Sequence, residues 1–336
     1  MFYSTVAEAQ WKRQTIETKA SLRGLSVVNE KIIWASGAGG TFLKTTNGGK
    51  TWTIGKVPGA EKLDFRDVEA FGADTAYLLS IGEGENSRIY KTTDGGASWK
   101  MQFKNNNPKA FFDAIAFWYK NNGIAMSDPV DGKYLLITTA DGGASWKPVP
   151  TDKMPNAKEG EAAFAASGTC LIINGKNDVF LVSGGTDARV FRSNNRGSTW
   201  FVSDTPMIKG TAGSGIFSIA MLNGNSGVIV GGNYEKPNET SNNLAFTVDG
   251  GKSWTSGKGL TGYRSGVAYI DKKTILAVGS SGYDISFDGG KTWKYPKMPE
   301  SNKDFNAVQA KGKNAVWAVG ANGLVARLDF SGLNSN

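Results

Sequence analysis

Six short stretches of this chain place an acid or its amide inside a glycine turn. They are TTNGGKTW ending at Trp52, TTDGGASW at Trp99, TADGGASW at Trp146, SNNRGSTW at Trp200, TVDGGKSW at Trp254 and SFDGGKTW at Trp293. A carboxylate repeated at one position, as in Asp94, Asp141, Asp249 and Asp288, is a group that ligates cations or moves protons. Two copies argue against both uses. They carry Asn47 and Asn195 instead, and the second also has Arg196 where the others have their first glycine. A metal ligand or catalytic acid does not survive exchange for an amide, whereas a turn former does. An Asp or Asn side chain accepts hydrogen bonds from the backbone N–H groups just ahead of it. The glycines supply positive φ, the leading Ser or Thr hydroxyl joins the local network, and the tryptophan ring packs between neighbouring sheets. The repeat is therefore expected to be structural, with no metal bound.

The rest of the composition narrows the chemistry further. Histidine is absent, which removes Ser-His-Asp and Cys-His catalysis and imidazole ligation together. The single cysteine, Cys170, lies in the apolar run GTCLIING and reads as a buried, inert thiol. No phosphate-binding loop, dinucleotide fingerprint or calcium loop is present, so no cofactor is expected. Lysine and arginine exceed the acids by 8, a balance compatible with an anionic partner such as an acidic protein segment, glycan or lipid headgroup. No continuous stretch concentrates that charge, so nucleic acid is not the expected partner. No apolar run reaches the length of a membrane span.

The repeats come at intervals of 47, 47, 54, 54 and 39 residues, the period of propeller blades built from short strands. Strands alternate clearly in GLSVVNEKIIWASG and SGVAYIDKKTILAVG. A seventh tryptophan strand, WKRQTI from Trp11, has no box before it, and FNAVQAKGKNAVWAVGANGLVARLDF supplies three strands with no box after them. The expected fold is an all-β, seven-bladed propeller of four-stranded antiparallel blades. Its ring is closed by the N-terminal strand (10–17) joining the C-terminal blade, which removes open sheet edges. The blades are placed at about 20–58, 62–105, 109–151, 161–205, 213–258, 262–298 and 303–330, in a single domain of 336 residues that is expected to be a monomer.

The motif resembles the Asp box, or BNR repeat, of sialidases and related propellers. The whole chain resembles the photosystem II assembly/stability factor-like family, whose boxes sit among strands such as GLSVVNEKIIWASGAGG and AVWAVGANGLVARL. That resemblance implies a bacterial or chloroplast-type, exported, non-enzymatic scaffold that helps to assemble a membrane complex. The sialidase Phe/Tyr-Arg-Ile-Pro element is missing; FRDV at 65–68 and YRSG at 263–266 lack the Ile-Pro. Ala7-Glu8-Ala9 looks like the end of a signal peptide, although the basic start and apolar core are not there, and supports an exported, periplasmic or extracellular location.

Propeller ligands gather where loops converge on the central funnel, on the face opposite the boxes. Aligning the innermost strands at LRGLSVV, FRDVEAF, FFDAIAF, EAAFAAS, SGIFSIA, YRSGVAY and DFNAVQA puts Arg23, Arg66 and Arg264 at equivalent places. Their guanidinium forks suit a carboxylate or another anion. Salt bridges to Asp67, Asp113 or Glu161 are the competing role. The long loop 231–243 adds Tyr234 and Lys236 to the candidate ligand-binding set, beside shorter loops at 82–88 and 126–134. The expected function is a binding scaffold for a protein segment or anionic ligand. The alternative is a glycoside hydrolase or lyase using paired carboxylates from Asp67, Asp113, Asp128 and Glu161.

Overall fold

In the computed structural model, which describes residues 10–296, 298 and 303–330, every blade grows from the alternation seen in the sequence. The Ala7-Glu8-Ala9 stretch lies outside the described residues. Blade one runs Leu22–Val27, Ile33–Gly37, Thr41–Thr45 and Thr53–Lys56. Blades two and three repeat this antiparallel order from Asp64–Ala70 and from Phe112–Tyr119. Blade five starts at Ser214–Met221. Blade six has Gly266–Tyr269, Ile275–Gly279 and Gly282–Ser286, and its fourth strand is reduced to the Ile285–Lys294 bridge. Blade seven combines Phe305–Ala310, Val316–Gly320 and Val325–Asp329 with Gln10–Arg13, paired from Gln10 opposite Asp329 to Arg13 opposite Ala326. This is the ring closure expected from the unpaired strands at the two ends.

The boxes explain their own composition. In blade two the Thr92 hydroxyl donates to Asp94 Oδ1 at 2.8 Å and accepts from Gly96 N at 2.9 Å, while Asp94 Oδ1 accepts from Ser98 N at 2.9 Å. Asn195 accepts the same two bonds in blade four and uses its amide nitrogen on Thr199 Oγ1, so an amide serves as well as an acid. The second box glycine meets a side chain of the preceding blade. A Cβ on Gly96 would lie 2.6 Å from the Phe42 ring, and one on Gly290 2.4 Å from Phe246. Box tryptophans fill the same seams, with Trp52 edge-on to Trp317 at 5.6 Å and Trp99 edge-on to Trp34 at 6.3 Å.

Blade four departs from the expected alignment. Its innermost strand is Leu171–Asn174, not a strand beginning at Glu161. Glu161–Ala162 pairs only with Gly184–Gly185, and the chain between these two pieces leaves the sheet. Residues 163–169 then touch five other blades. Arg23 and Arg66 donate to the carbonyls of Ala166 and Ala165, and Ala163 N donates to Asp128 Oδ1. Thr169 Oγ1 bonds Ser218 Oγ, and Ser167 Oγ donates to the Ser265 carbonyl. A seven-residue run held by blades one, two, three, five and six must sit on the axis of the ring. It plugs the channel.

Candidate functional site

The funnel wall is built by β-bulges in five of the inner strands. Pairing skips Arg23 in blade one, Arg66 in blade two, Asp113 in blade three, Phe217 in blade five and Asn306 in blade seven. A bulge turns the extra residue out of the ladder, here toward the funnel. Above the plug these residues enclose a cavity of about 500 Å³. Its wall is divided by chemistry: Arg23 and Arg66 on one side, Asp113 and Asp128 beside them, and Phe164, Phe217, Tyr234 and Tyr263 opposite.

Arg23 donates to the Ala166 carbonyl at 3.3 Å and makes no ion pair among the described residues. Burial, and then the Arg66 charge beside it, lowers its proton affinity below the ordinary guanidinium value. Arg66 is engaged by Asp64 at 2.8 Å and by the Ala165 carbonyl at 3.3 Å. Asp64 is bonded to Arg66, whereas the charges of Asp64 and Asp304 act on Arg23 without an ion pair among the described residues. Asp113 is buried with Oδ2 unpartnered, and burial followed by the nearby Asp128 charge pushes it well above the usual carboxylate range. Burial raises Asp128 to about 6.

The aromatic wall follows from local glycines. Phe164 stacks on Phe217 with centroids 3.9 Å apart and planes 5° from parallel. It fits because Gly184 and Gly215 lack side chains: a Cβ on Gly184 would lie 2.1 Å from the Phe164 ring, and one on Gly215 2.2 Å from Gly184 Cα. Tyr263 meets Phe217 edge-on at 4.7 Å. Tyr234 meets both phenylalanine rings edge-on while remaining 49% exposed.

Several candidates lie elsewhere. Arg264 is one residue out of register with the bulge positions, so its side chain turns into the blade. It is 0% exposed, ion-paired to Asp284 at 2.6 Å, and bonded to Ser281 Oγ, Thr261 Oγ1 and the Tyr263 carbonyl. It is not available to a funnel ligand. Glu161 is buried against Arg189 and accepts from Ser183 Oγ and Lys158 N. Asp67 spends its two oxygens on the amides of Val68 and Ile115, both at 2.8 Å, stitching blade two to blade three. Lys236 is exposed on the turn beyond Tyr234, off the cavity wall. Cys170 is fully buried and its thiol is pushed up by burial. The alignment missed Phe217, Tyr263 and Asn306. A partial signal existed: in blades one, three, five and seven a small residue followed by an aliphatic one, Gly24-Leu25, Ala114-Ile115, Ser218-Ile219 and Ala307-Val308, comes directly after the funnel residue, whereas Asp67-Val68 breaks the pattern in blade two and Tyr263 carries no such mark.

Among the described residues, no group of three or more His, Cys, Asp or Glu side chains is placed to hold a metal ion, and no helix is long and apolar enough to cross a membrane.

Known proteins agree with this architecture. The family model for the BNR/Asp-box repeat matches residues 284–295, the sixth box. The chain is a seven-bladed β-propeller that carries a BNR/Asp-box repeat. Among solved structures this propeller is similar to YCF48 bound to a D1 peptide, with TM-score 0.71 and 17% identity over 96% of this chain and 97% of that one. It is also similar to YCF48 from Cyanidioschyzon merolae, with TM-score 0.66 and 17% identity over 95% and 98% of the two chains. The WD40 propeller domain of Doa1 aligns with TM-score 0.64 and 11% identity over 96% and 97%. No curated protein matches the sequence.

Proposed function

We propose that the propeller is a binding and assembly scaffold that docks an extended polypeptide segment on the funnel face. An acidic side chain or terminal carboxylate of that segment pairs with Arg23, and an apolar side chain lies against Phe217, Tyr234 and Tyr263. The observation that carries this reading is Arg23, a largely buried guanidinium with one carbonyl bond and no carboxylate, on the wall of a preformed cavity. Such a fork has donors to spare for a carboxylate, and the surrounding low dielectric strengthens the pair.

A second hollow of about 430 Å³ favours a chain over a small molecule. It shares Phe111 and Asp128 with the central cavity and runs outward past Pro108, Lys109 and Glu83. The peptide bound to YCF48, a propeller of the same fold, supports a polypeptide occupant. Exported location goes with this reading, on the strength of the Ala7-Glu8-Ala9 sequence. Three carboxylates line the cavity, Asp113 and Asp128 from adjacent strands of one blade and Asp304 from the entry to blade seven. Of the four acids named for the hydrolase alternative, Asp67 and Glu161 are spent on internal partners.

The test is selection of random peptides on immobilised protein. Wild type should enrich sequences carrying an acidic residue or a free C-terminus beside an apolar one. Arg23→Ala should lose that enrichment, with affinity for the selected peptides reduced about tenfold or more. Equal enrichment by both proteins would remove Arg23 from the site.

A further inference from the structure

The face opposite the funnel carries a second surface that the proposed function does not use. In each boxed blade the box turn and the first hairpin of the blade are joined by one backbone bond: Gly48 N to Lys31 O, Gly95 N to Asp74 O, Gly142 N to Asn121 O, Arg196 N to Asn177 O, Gly250 N to Asn225 O and Gly289 N to Lys273 O. These bonds place both sets of turns on one rim of the disc. On blades five to seven that rim exposes Lys252, Lys272, Lys273, Lys291, Lys294 and Lys311. Three acids lie among them and stay ionised, so the lysines outnumber them two to one. Asp249 and Asp288 are bound within their boxes, and Asp271 accepts from Lys273 N and Thr274 N and pairs with Lys313 at 3.4 Å.

Two apolar side chains stand among these lysines. The second position of the box is at the tip of its turn and holds Thr46, Thr93, Ala140 and Asn194 in the first four copies. In blade five it is Val248, 81% exposed, and in blade six Phe287, 36% exposed, with Lys294 Nζ 5.7 Å from the ring centroid. The two boxes are neighbours, since Gly290 of the blade-six box abuts the Phe246 ring one residue before Thr247 of the blade-five box. Apolar tips ringed by lysines match a bilayer interface. The ammonium groups meet anionic headgroups while valine and phenylalanine enter the acyl boundary. A soluble polyanion offers the charge but no apolar phase for an isolated valine.

We infer that the box rim of blades five to seven docks on the surface of an anionic lipid bilayer, leaving the funnel facing away from the membrane. Co-sedimentation of the full chain with vesicles tests this. Wild type should pellet with phosphatidylcholine vesicles containing phosphatidylglycerol and stay in solution with phosphatidylcholine alone. Lys272→Glu/Lys273→Glu/Lys291→Glu should lower the partition about tenfold or more. Lys56→Glu/Lys62→Glu/Lys258→Glu, an equal charge change on the funnel-side linkers, should keep it, and so should Arg23→Ala, which separates this surface from the proposed peptide site. Val248→Ser/Phe287→Ser should lose vesicle binding while retaining any affinity for heparin. All variants are checked for unchanged melting temperature. Equal losses from both triple variants, or vesicle binding unaffected by the Val248/Phe287 change, would overturn the inference, the latter in favour of a soluble polyanion.

Discussion

Arg23 on blade one donates to the carbonyl oxygen of Ala166, a residue that belongs to blade four, at 3.3 Å across the axis of the ring. The bond closes the funnel floor, yet it uses only one of the donors on this guanidinium. Arg264, which occupies the same apparent place in the sequence, has its donors taken by Asp284, Ser281, Thr261 and the Tyr263 carbonyl. The two arginines therefore separate stability from binding.

Arg264→Ala leaves the fully buried Asp284 without its cation and should cost about 3–5 kcal/mol. Arg23→Ala removes one long bond to a carbonyl and should cost about 1 kcal/mol or less. Urea midpoints of the two variants measure this directly. A larger loss for Arg23 than for Arg264 would make Arg23 a structural residue.

The second glycine of the box should matter more than its backbone angle alone requires. Gly59 has φ +74 with nothing within 4 Å of a built Cβ, so Gly59→Ala pays only for the left-handed backbone, about 1–2 kcal/mol. Gly96 has φ +92 and a Cβ there would strike the Phe42 ring at 2.6 Å. Gly96→Ala adds that overpacking and should cost about 2–4 kcal/mol. Equal melting-temperature losses for the two variants would mean that the blade seam yields freely.

Stability should rise and then fall with pH. Hydrogen bonds from the Ser98, Ser145 and Thr292 hydroxyls lower Asp94, Asp141 and Asp288 to about 2. These acids stabilise the fold above the ordinary carboxylate range near pH ~4, and that stability is lost as pH falls toward ~2. Burial acts the other way on Asp67, raised to about 7, and Asp128, raised to about 6. Glu69 reaches about 8, through burial and then the Asp67 charge, with Lys311 opposing. The folded chain holds these protons more tightly than the unfolded chain, so stability declines as pH rises from ~4 through ~7. Melting temperatures across this range should peak on the acid side of neutrality, and Asp67→Asn should flatten the upper limb. A wild-type melting temperature still climbing above pH ~7 would contradict the assignment.

The blade plan was open to reading because its signals are local. Each box carries its own turn chemistry, and the isolated Trp11 strand needed a partner that only the three C-terminal strands could supply. The funnel was harder to read because a bulge shifts the register by one without changing the apolar alternation. Arg264 and Arg23 look equivalent in YRSG and LRGL, yet Arg23 occupies a bulge, whereas Arg264 lies two residues before a strand that pairs without any register shift. EAAFAAS has the residues of an inner strand, but the sheet contact goes to Leu171–Asn174 and the apolar stretch serves as the plug. Its true partners, Phe217 and the glycines at 184 and 215, are distant in sequence, and no local pattern announces them.

Ring closure rests on one tryptophan more than on the backbone ladder. The strand Gln10–Arg13 is short and mostly exposed, and its pairing with Val325–Asp329 closes blade seven. Trp11 reaches beyond that blade, lying 4.8 Å from the Phe305 centroid and edge-on to Tyr283 of blade six at 5.8 Å. The Lys12–Asp329 ion pair on the same strand is largely exposed and weak, so the packing of Trp11 is the larger anchor and Trp11→Ala should cost about 2–4 kcal/mol. Deleting residues 1–18 removes the ladder too, leaving Val325–Asp329 as an open edge available to other chains. The deletion should therefore lower the melting temperature further than Trp11→Ala and produce concentration-dependent association in light scattering. If the truncated chain melts with wild type and stays monodisperse, closure by the N-terminal strand does not hold the ring together.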